Sequence, residues 1–437
     1  MFKYYLTLGL RNLRRNPVLT LLMVMAIAFG VASSMTTYTV FRAVSGDPIP
    51  WKSSKLFFPQ IDVWGPTSRR GGTEPADAFT YTDVVALMRD HRAAKQSAIY
   101  PVGPTLYPTD ASKKAQTMSG EAVHNEFFPM LDVPFLYGSG WSKSEDDQRA
   151  RVVVISKSLN ERVFGGVNSV GREIRLDNTN YRVIGVIGDW NPQPKFYVAS
   201  VGYVFGSGDD VFIPFTTAID QKLATSGAFG CSAKLAEPGF AGTLSSSCIW
   251  ISYLVELDSA AAVSAYRDYL NAYAGSQQSS GRFGWAPNNR LRDLREFLNY
   301  ERIVSSETKL SIMVAISLLI VCMVNTVGLL LAKFLRRSSE IGVRRALGAN
   351  RFHIAYQFGM ESAAIGLAGG ALGLILTWIG VSLMDGLLSP QIAKLVHIDI
   401  PLLLQTLILA IVTTVIAGLY PTWRATHLRP SMQLKQG

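Results

Sequence analysis

Histidine and cysteine are scarce in this chain, with five and three among 437 residues. His91, His124, His353, His397 and His427 fall far apart, and no HExxH, CxxC or GxSxG motif occurs. Metal-dependent and nucleophilic hydrolysis therefore have no visible residues, and no catalytic or metal-ligating side chain is assigned. Nucleotide binding fails on similar grounds. Gly166 to Gly171 has the glycine spacing of a phosphate-cradling loop, but Arg172 and Glu173 stand where a lysine and a hydroxyl residue are required. Charge is missing where it would be most telling. Four apolar runs, roughly Val18–Phe41, Leu310–Ala332, Ser362–Met384 and Pro401–Trp423, contain no Asp, Glu, Lys, Arg or His. Ion-coupled transporters usually keep ionisable groups within their spans, so that class is disfavoured.

Each run meets the ~20 residues that a helix needs to cross about 30 Å of hydrocarbon. With 48% hydrophobic and 17% charged residues and a mean hydropathy of +0.19, the chain is too apolar for an ordinary soluble protein and too polar for a wholly buried transporter. A few spans plus a sizeable water-exposed domain fit. The net charge of +10 is unevenly placed: residues 42–309 hold 28 basic and 28 acidic side chains, and the rest hold 14 and 4. Lys3, Arg11, Arg14 and Arg15 precede the first run, and Lys333, Arg336, Arg337, Arg344, Arg345 and Arg351 lie between the second and third. Arg424, Arg429 and Lys435 follow the fourth. The positive-inside rule then predicts both termini and the loop after the second span in the cytoplasm, with the large middle segment outside. A pI of 9.4 does not point to nucleic acid, because the basic residues flank membrane runs. The first run is longer than a signal-peptide core and Ser33–Tyr38 offers no cleavage site, so it reads as a retained anchor.

In the middle segment, Thr80–His91 reads as a helix capped by Thr80 or Thr82, and Ala122–Leu131 as a second helix. Arg151–Ser156 is a continuous β-branched run, the pattern of a buried strand, followed by a short helix over Ser158–Phe164 and a turn at Gly165–Gly166. Arg172–Leu176 and Tyr181–Ile187 alternate as a hairpin joined through Asp177 to Asn180. Asp210–Phe215 and Ile251–Leu257 read as strands and Ala260–Ala274 as an amphipathic helix. Leu291, Leu294, Leu298 and Ile303 recur at near-helical spacing, so Leu291–Thr308 is expected to enter the second span as one long helix. Cys231 and Cys248 lie outside the spans, in an oxidising compartment if the cell has a periplasm. A disulfide closing their loop would add ~3 kcal/mol in the chain-entropy model, and two free thiols are the alternative. Cys322 is expected to be a small apolar packer and Asn325 an interhelical hydrogen-bonding group. Gly366, Gly369, Gly370 and Gly373 form two interleaved small-xxx-small pairs, made for close helix approach within one subunit or across a dimer.

The most informative stretch is Leu335–Phe352, LRRSSEIGVRRALGANRF. Ser338 can cap a short helix, and Glu340 in its first turn suits the helix dipole. Glu340 and Arg344 are four apart with the acid first, a pair worth ~0.2–0.5 kcal/mol. Val343, Ala346 and Leu347 share one face, and Gly348 stands where a C-cap glycine would. So short a helix does not persist alone in water, so something must hold its apolar face. Glu340 to Ala349, EIGVRRALGA, resembles the signature of the FtsX-like permease domain of MacB-type ABC transporters. LRNLRRNPVLTLL resembles that family's opening segment. VVVISKSLNERVFGGVNSVGREIRLDNTNYRVIGVIGD resembles its membrane-proximal periplasmic core, and YPTWRATHLRP its C-terminal ending.

The resemblance implies a membrane protein of four transmembrane α-helices, with a large α+β extracytoplasmic domain between spans one and two. Residues 1–16 are expected to form a cytoplasmic or interfacial amphipathic helix and 17–43 the first span. Residues 44–290 would be the core domain, with an inserted subdomain at about 190–247, and 291–335 a stalk helix plus the second span. The coupling loop would be 336–352 and the third span 353–385. An outer loop (386–400), the fourth span (401–424) and a cytoplasmic tail (425–437) would complete the chain. Glu340, Ile341, Gly342, Val343, Arg344, Arg345, Ala346, Leu347 and Gly348 would form a coupling helix docked in a groove of a separate cytoplasmic ABC ATPase. The chain itself would be a non-catalytic permease without a cofactor, ATP being bound by the ATPase. It would work in the inner membrane beside a second permease, as homo- or heterodimer, with a periplasmic adaptor and outer-membrane channel as possible partners. Export of a substrate from the periplasm is the expected function. Signalling to a cell-wall hydrolase and release of lipoproteins are the alternatives, and the substrate is not written in the sequence.

Overall fold

A computed structural model describes residues 17–108, 114–235, 237–337, 343, 344, 348, 350–384, 396 and 399–427. Its principal helices, in chain order, are α1 (Pro17–Ser45), α2 (Tyr81–Asp90), α3 (Lys157–Phe164), α4 (Ala260–Ser279), α5 (Leu294–Tyr300), α6 (Ser306–Leu335), α7 (Arg351–Met384) and α8 (Ile400–His427). The chain divides into an outer unit, Ser45–Ile303, and a helical unit made of the residues on either side.

The outer unit is built on one mixed sheet of twelve strands. They are β1 (Leu56–Gln60), β2 (Lys95–Val102), β3 (Thr105–Leu106), β4 (Gln116–Thr117), β5 (Gly120–Val123), β6 (Phe135–Gly138), β7 (Val152–Ser156), β8 (Glu173–Leu176), β9 (Thr179–Ile187), β10 (Val211–Pro214), β11 (Ser252–Glu256) and β12 (Arg290–Asp293). The order is β12-β1-β11-β2-β5-β10-β7-β9-β8-β3-β4, with β6 also on β9. β5–β10 and β7–β9 are parallel pairs. Val152 to Ile155 are buried on both faces of the sheet, which is why β7 reads as an unbroken apolar run. Around the sheet, Phe127, Phe128, Trp190, Tyr197 and Phe212 form an edge-to-face aromatic cluster.

Local chemistry explains the elements that the sequence announces. Thr80 Oγ1 accepts the Asp83 amide at 3.1 Å to cap α2, and His91 ends it in the left-handed region. The hairpin turn is tighter than expected. β9 begins at Thr179, so only Asp177 and Asn178 lie between the strands, and the Asp177 carboxylate accepts the Thr105 amide at 2.9 Å.

Three expectations are corrected. Ala122–Leu131 is not a helix: β5 runs to Val123 between β2 and β10, and only Phe127–Met130 turns. Tertiary pairing overrides local preference there, and Gly120 passes so near Val211 that a Cβ would lie 2.4 Å from its side chain. Leu291–Thr308 is not one helix either. Residues 290–293 form the edge strand β12 on β1, Asp293 caps the seven-residue α5, and Ser305 caps α6 after a break in which Arg302 has φ +54°. Residues 190–247 do not form a separate insertion, because their β10 sits in the middle of the sheet and Phe196, Tyr197 and Val198 belong to the common core. The outer unit therefore extends past 290 to Ile303.

In the helical unit, α1, α6, α7 and α8 supply four segments long and apolar enough to cross a membrane: Pro17–Ser45, Ser306–Leu335, Phe352–Met384 and Ile400–Arg424. α7 is the element gripped from two sides. A Cβ on Gly366 would stand 2.9 Å from Ile411 Cα, and one on Gly370 would stand 3.0 Å from Ala410, both on α8. Gly369 and Gly373 face Ile27 and Ala28 of α1 instead. The interleaved pairs thus serve two neighbours within one chain. Many apolar side chains of α6, such as Leu310, Met313, Ile320 and Val324, are exposed on its surface, as side chains that face lipid are. The expected helix at 1–16 and, apart from residues 396, 399 and 400, the outer loop at 386–400 lie outside the described residues.

Candidate functional site

The stretch that sequence analysis singles out joins α6 to α7. Of its nine proposed coupling residues, Glu340, Ile341, Gly342, Arg345, Ala346 and Leu347 lie outside the described residues. Val343 is exposed, Arg344 Nη1 donates to Gln357 Oε1 on α7 at 2.9 Å, and Gly348 has φ +94°, the region that favours glycine. Asn350 opens α7, its side chain accepting the Phe352 amide at 3.2 Å.

Below the loop, the roots of α6 and α7 are fastened together. Phe334 stacks on Phe358 with ring centroids 4.1 Å apart, in a cluster with Met23, Leu330, Ile354, Ile365 and Ala417. Within this apolar setting lies a charged group that sequence analysis missed. Glu361 is wholly buried, Lys333 Nζ lies 2.7 Å from its Oε1, and Arg337 Nη1 donates to its Oε2 at 3.2 Å. The charge-free run begins at Ser362, but α7 begins eleven residues earlier in the chain, at Arg351, and so takes Glu361 inside. The available signal was a single acid standing between Glu340 and Asp385. Asn325, expected to bond to a neighbouring helix, is exposed on α6. Cys322 is buried and unpaired, packed against Gly30.

The outer unit offers concave surface. Among the described residues no three His, Cys, Asp or Glu side chains converge as metal ligands would. A cleft of about 460 Å³ is lined by Ser156, Lys157, Arg162, Trp190, Asp209 and Asp210. Beneath it, Asp209 accepts from Lys195 and Tyr197, both at 2.7 Å, and from Ser119 at 3.0 Å. Burial pushes the neighbouring Glu121 carboxyl well above its ordinary range, and the Asp209 charge adds to this while Lys195 opposes it. Cys231 and Cys248 are joined in a disulfide, and Cys248 is fully buried.

Comparison with known proteins places these features. The model of the MacB-like periplasmic core domain matches residues 20–273, and that of the FtsX-like permease C-terminal matches residues 312–430. The macrolide export ATP-binding/permease protein MacB of Chlorobium luteolum is 25% identical over 443 residues, covering 96% of this chain and 58% of that protein. The protein of the same name from Wolinella succinogenes is 23% identical over 440 residues, covering 98% of this chain and 60% of its own. This chain thus spans about three-fifths of the length of these relatives. The crystal structure of the periplasmic region of MacB from Actinobacillus actinomycetemcomitans aligns over 58% of this chain and 94% of its own, at 13% identity and a TM-score of 0.37.

Proposed function

This chain belongs to the MacB/FtsX-type ABC transporter permease family, with a MacB-like periplasmic core and an FtsX-like permease C-terminal domain, and on that premise we propose that it couples ATP hydrolysis on a cytoplasmic ABC ATPase subunit to motion of its outer domain. Four apolar helices make it a multi-pass protein of the inner membrane. Both termini and the loop between α6 and α7 are cytoplasmic in this reading, which the charge distribution supports. Two permeases work with two ATPases, and substrate is handled by the outer domain, without a path through the spans. Export is the reading best supported, because the relatives carry export in their names.

One observation carries the reading. A short basic loop bearing the family's signature runs between two membrane helices whose roots are fastened to each other. Such a loop has an anchored base and, in this reading, a coupling segment to offer a partner. The coupling helix offers Val343, Ala346 and Leu347 to a groove on the ATPase, with Arg344 and Arg345 at its rim. Rim charges contribute under ~1 kcal/mol each, whereas a buried leucine cut to alanine costs ~2–5 kcal/mol. Leu347→Ala should therefore weaken ATPase association more than Arg345→Ala. Leu347→Glu should abolish both co-purification of the ATPase and permease-dependent ATP turnover, while membrane insertion persists. Wild-type binding and turnover in Leu347→Glu would remove the coupling role from this loop.

A further inference from the structure

Glu361 is a costly residue to bury, and nothing about packing demands it. A carboxylate taken out of water needs partners, and apolar side chains of the same volume often fill such a place equally well. Here it has two cations. Lys333 lies in the last turn of α6 and Arg337 two residues past its end, and each addresses a different oxygen of the same carboxylate. Their position is what distinguishes them. Arg337 lies at the start of the loop, and Glu361 lies on the helix into which the loop leads. One turn earlier on that helix, Gln357 holds Arg344 from within the loop and Phe358 stacks on Phe334. One side of α7 thus grips the start of the loop, a point inside it and the end of α6.

We propose that the Lys333–Arg337–Glu361 network is the rigid link through which displacement of the loop passes to α6 and α7 together, with Glu361 as its positioning residue. This rests on the coupling reading above. Apolar packing keeps two helices in contact but lets them slide and rotate. A hydrogen bond from Arg337 to Oε2 and the Lys333 ammonium 2.7 Å from Oε1 hold one carboxylate from both sides and fix the register of the helices as well. Without them the loop would still be bound by the ATPase but would yield under load.

The test uses the full chain in native membranes with the ATPase that co-purifies with it. Lys333→Met combined with Glu361→Leu replaces the ion pair by apolar packing, and Lys333→Glu combined with Glu361→Lys restores a pair with its sign exchanged. The apolar pair should bind the ATPase with unchanged half-saturation yet lose about fivefold or more of permease-dependent ATP turnover, the lower end of a coupling effect. Amide exchange over residues 334–337 and 352–358 of the permease alone should quicken about tenfold, as a local opening becomes easier. The sign-exchanged pair should recover turnover. Should the apolar pair fail to accumulate in membranes, Glu361→Gln carries the same test. Wild-type turnover in the apolar pair, or unchanged exchange, overturns the proposal. If the wild-type chain itself captures no ATPase, the coupling reading falls and the link with it, and that failure shows in the wild-type sample alone.

Discussion

Glu301 gives the outer unit a built-in dependence on pH. Its side chain is nearly buried at the end of α5. Oε2 lies 3.3 Å from Arg70 Nη1, which Asp77 shares at 3.0 Å, and Oε1 has no hydrogen-bond partner. Burial pushes the carboxyl up to about 7 from an ordinary 4.5, the Asp77 charge adds to this, and Arg70 only partly offsets it. The folded protein therefore holds this proton more tightly than the unfolded chain does. Below the ordinary carboxylate range both states are protonated and nothing is lost. As pH rises towards 7 the unfolded chain releases its proton first, so stability falls, and above 7 the loss is complete. At about 1.4 kcal/mol per tenfold change in proton affinity, the loss approaches ~3 kcal/mol. Glu301→Gln cannot ionise and should escape it. In a unit of this size ~3 kcal/mol corresponds to roughly 6–12 °C of melting temperature. Tryptophan-fluorescence melts of the full chain in detergent should show Glu301→Gln melting higher than wild type at pH 8 and level with it at pH 4.5. An equal shift at both pH values, or none at pH 8, would refute the argument.

Four further outcomes can be measured. Cys248→Ala should lower the stability of the outer unit by up to ~3 kcal/mol, read by the same melts, while wild-type Cys231 and Cys248 resist thiol labelling until reductant is added. Gly366→Val should cost ~1–3 kcal/mol by driving α7 from the α8 backbone, seen as lost yield and a lower melting point. Gly328→Ala, which meets no atom within 4 Å, should be tolerated. Reporter fusions after Ser97 and after Ala349 should report opposite compartments, and the same compartment for both would break the assigned orientation.

What the sequence makes legible depends on how local the cause is. The four spans can be read because lipid solvation acts on every residue of a run, and α2 because Thr80 caps it within three residues. β7 is legible for the same reason, since burial on both faces removes alternation. Ala122 and Leu291 mislead because their partners lie far along the chain: β10 for the first, β1 for the second. No short-range pattern contains that information, although Asp293 and Ser305 stood in plain view as caps that divide the supposed helix. At the candidate site, the loop signature was visible but its anchor was not. Glu361 was trimmed away with the end of a hydrophobic run, and only the helix boundary at Arg351 returns it to the interior beside Lys333.

The strand order also sets a timetable. A ribosome delivers β1 early, but its two neighbours in the sheet are β11 and β12, so the edge that Gln60 completes stays unmatched until Ser252 and then Arg290 have been made. β5 and β7 likewise wait for β10 to fill the gap between them. The β8–β9 hairpin can pair as soon as it is made, but the sheet as a whole is not complete until β12. Long-range pairing of this kind is slow and leaves strand edges open to other chains in the meantime. The half-made protein is therefore at its most adhesive just before its last strand arrives, and a truncation anywhere ahead of residue 290 should yield aggregates instead of a smaller domain.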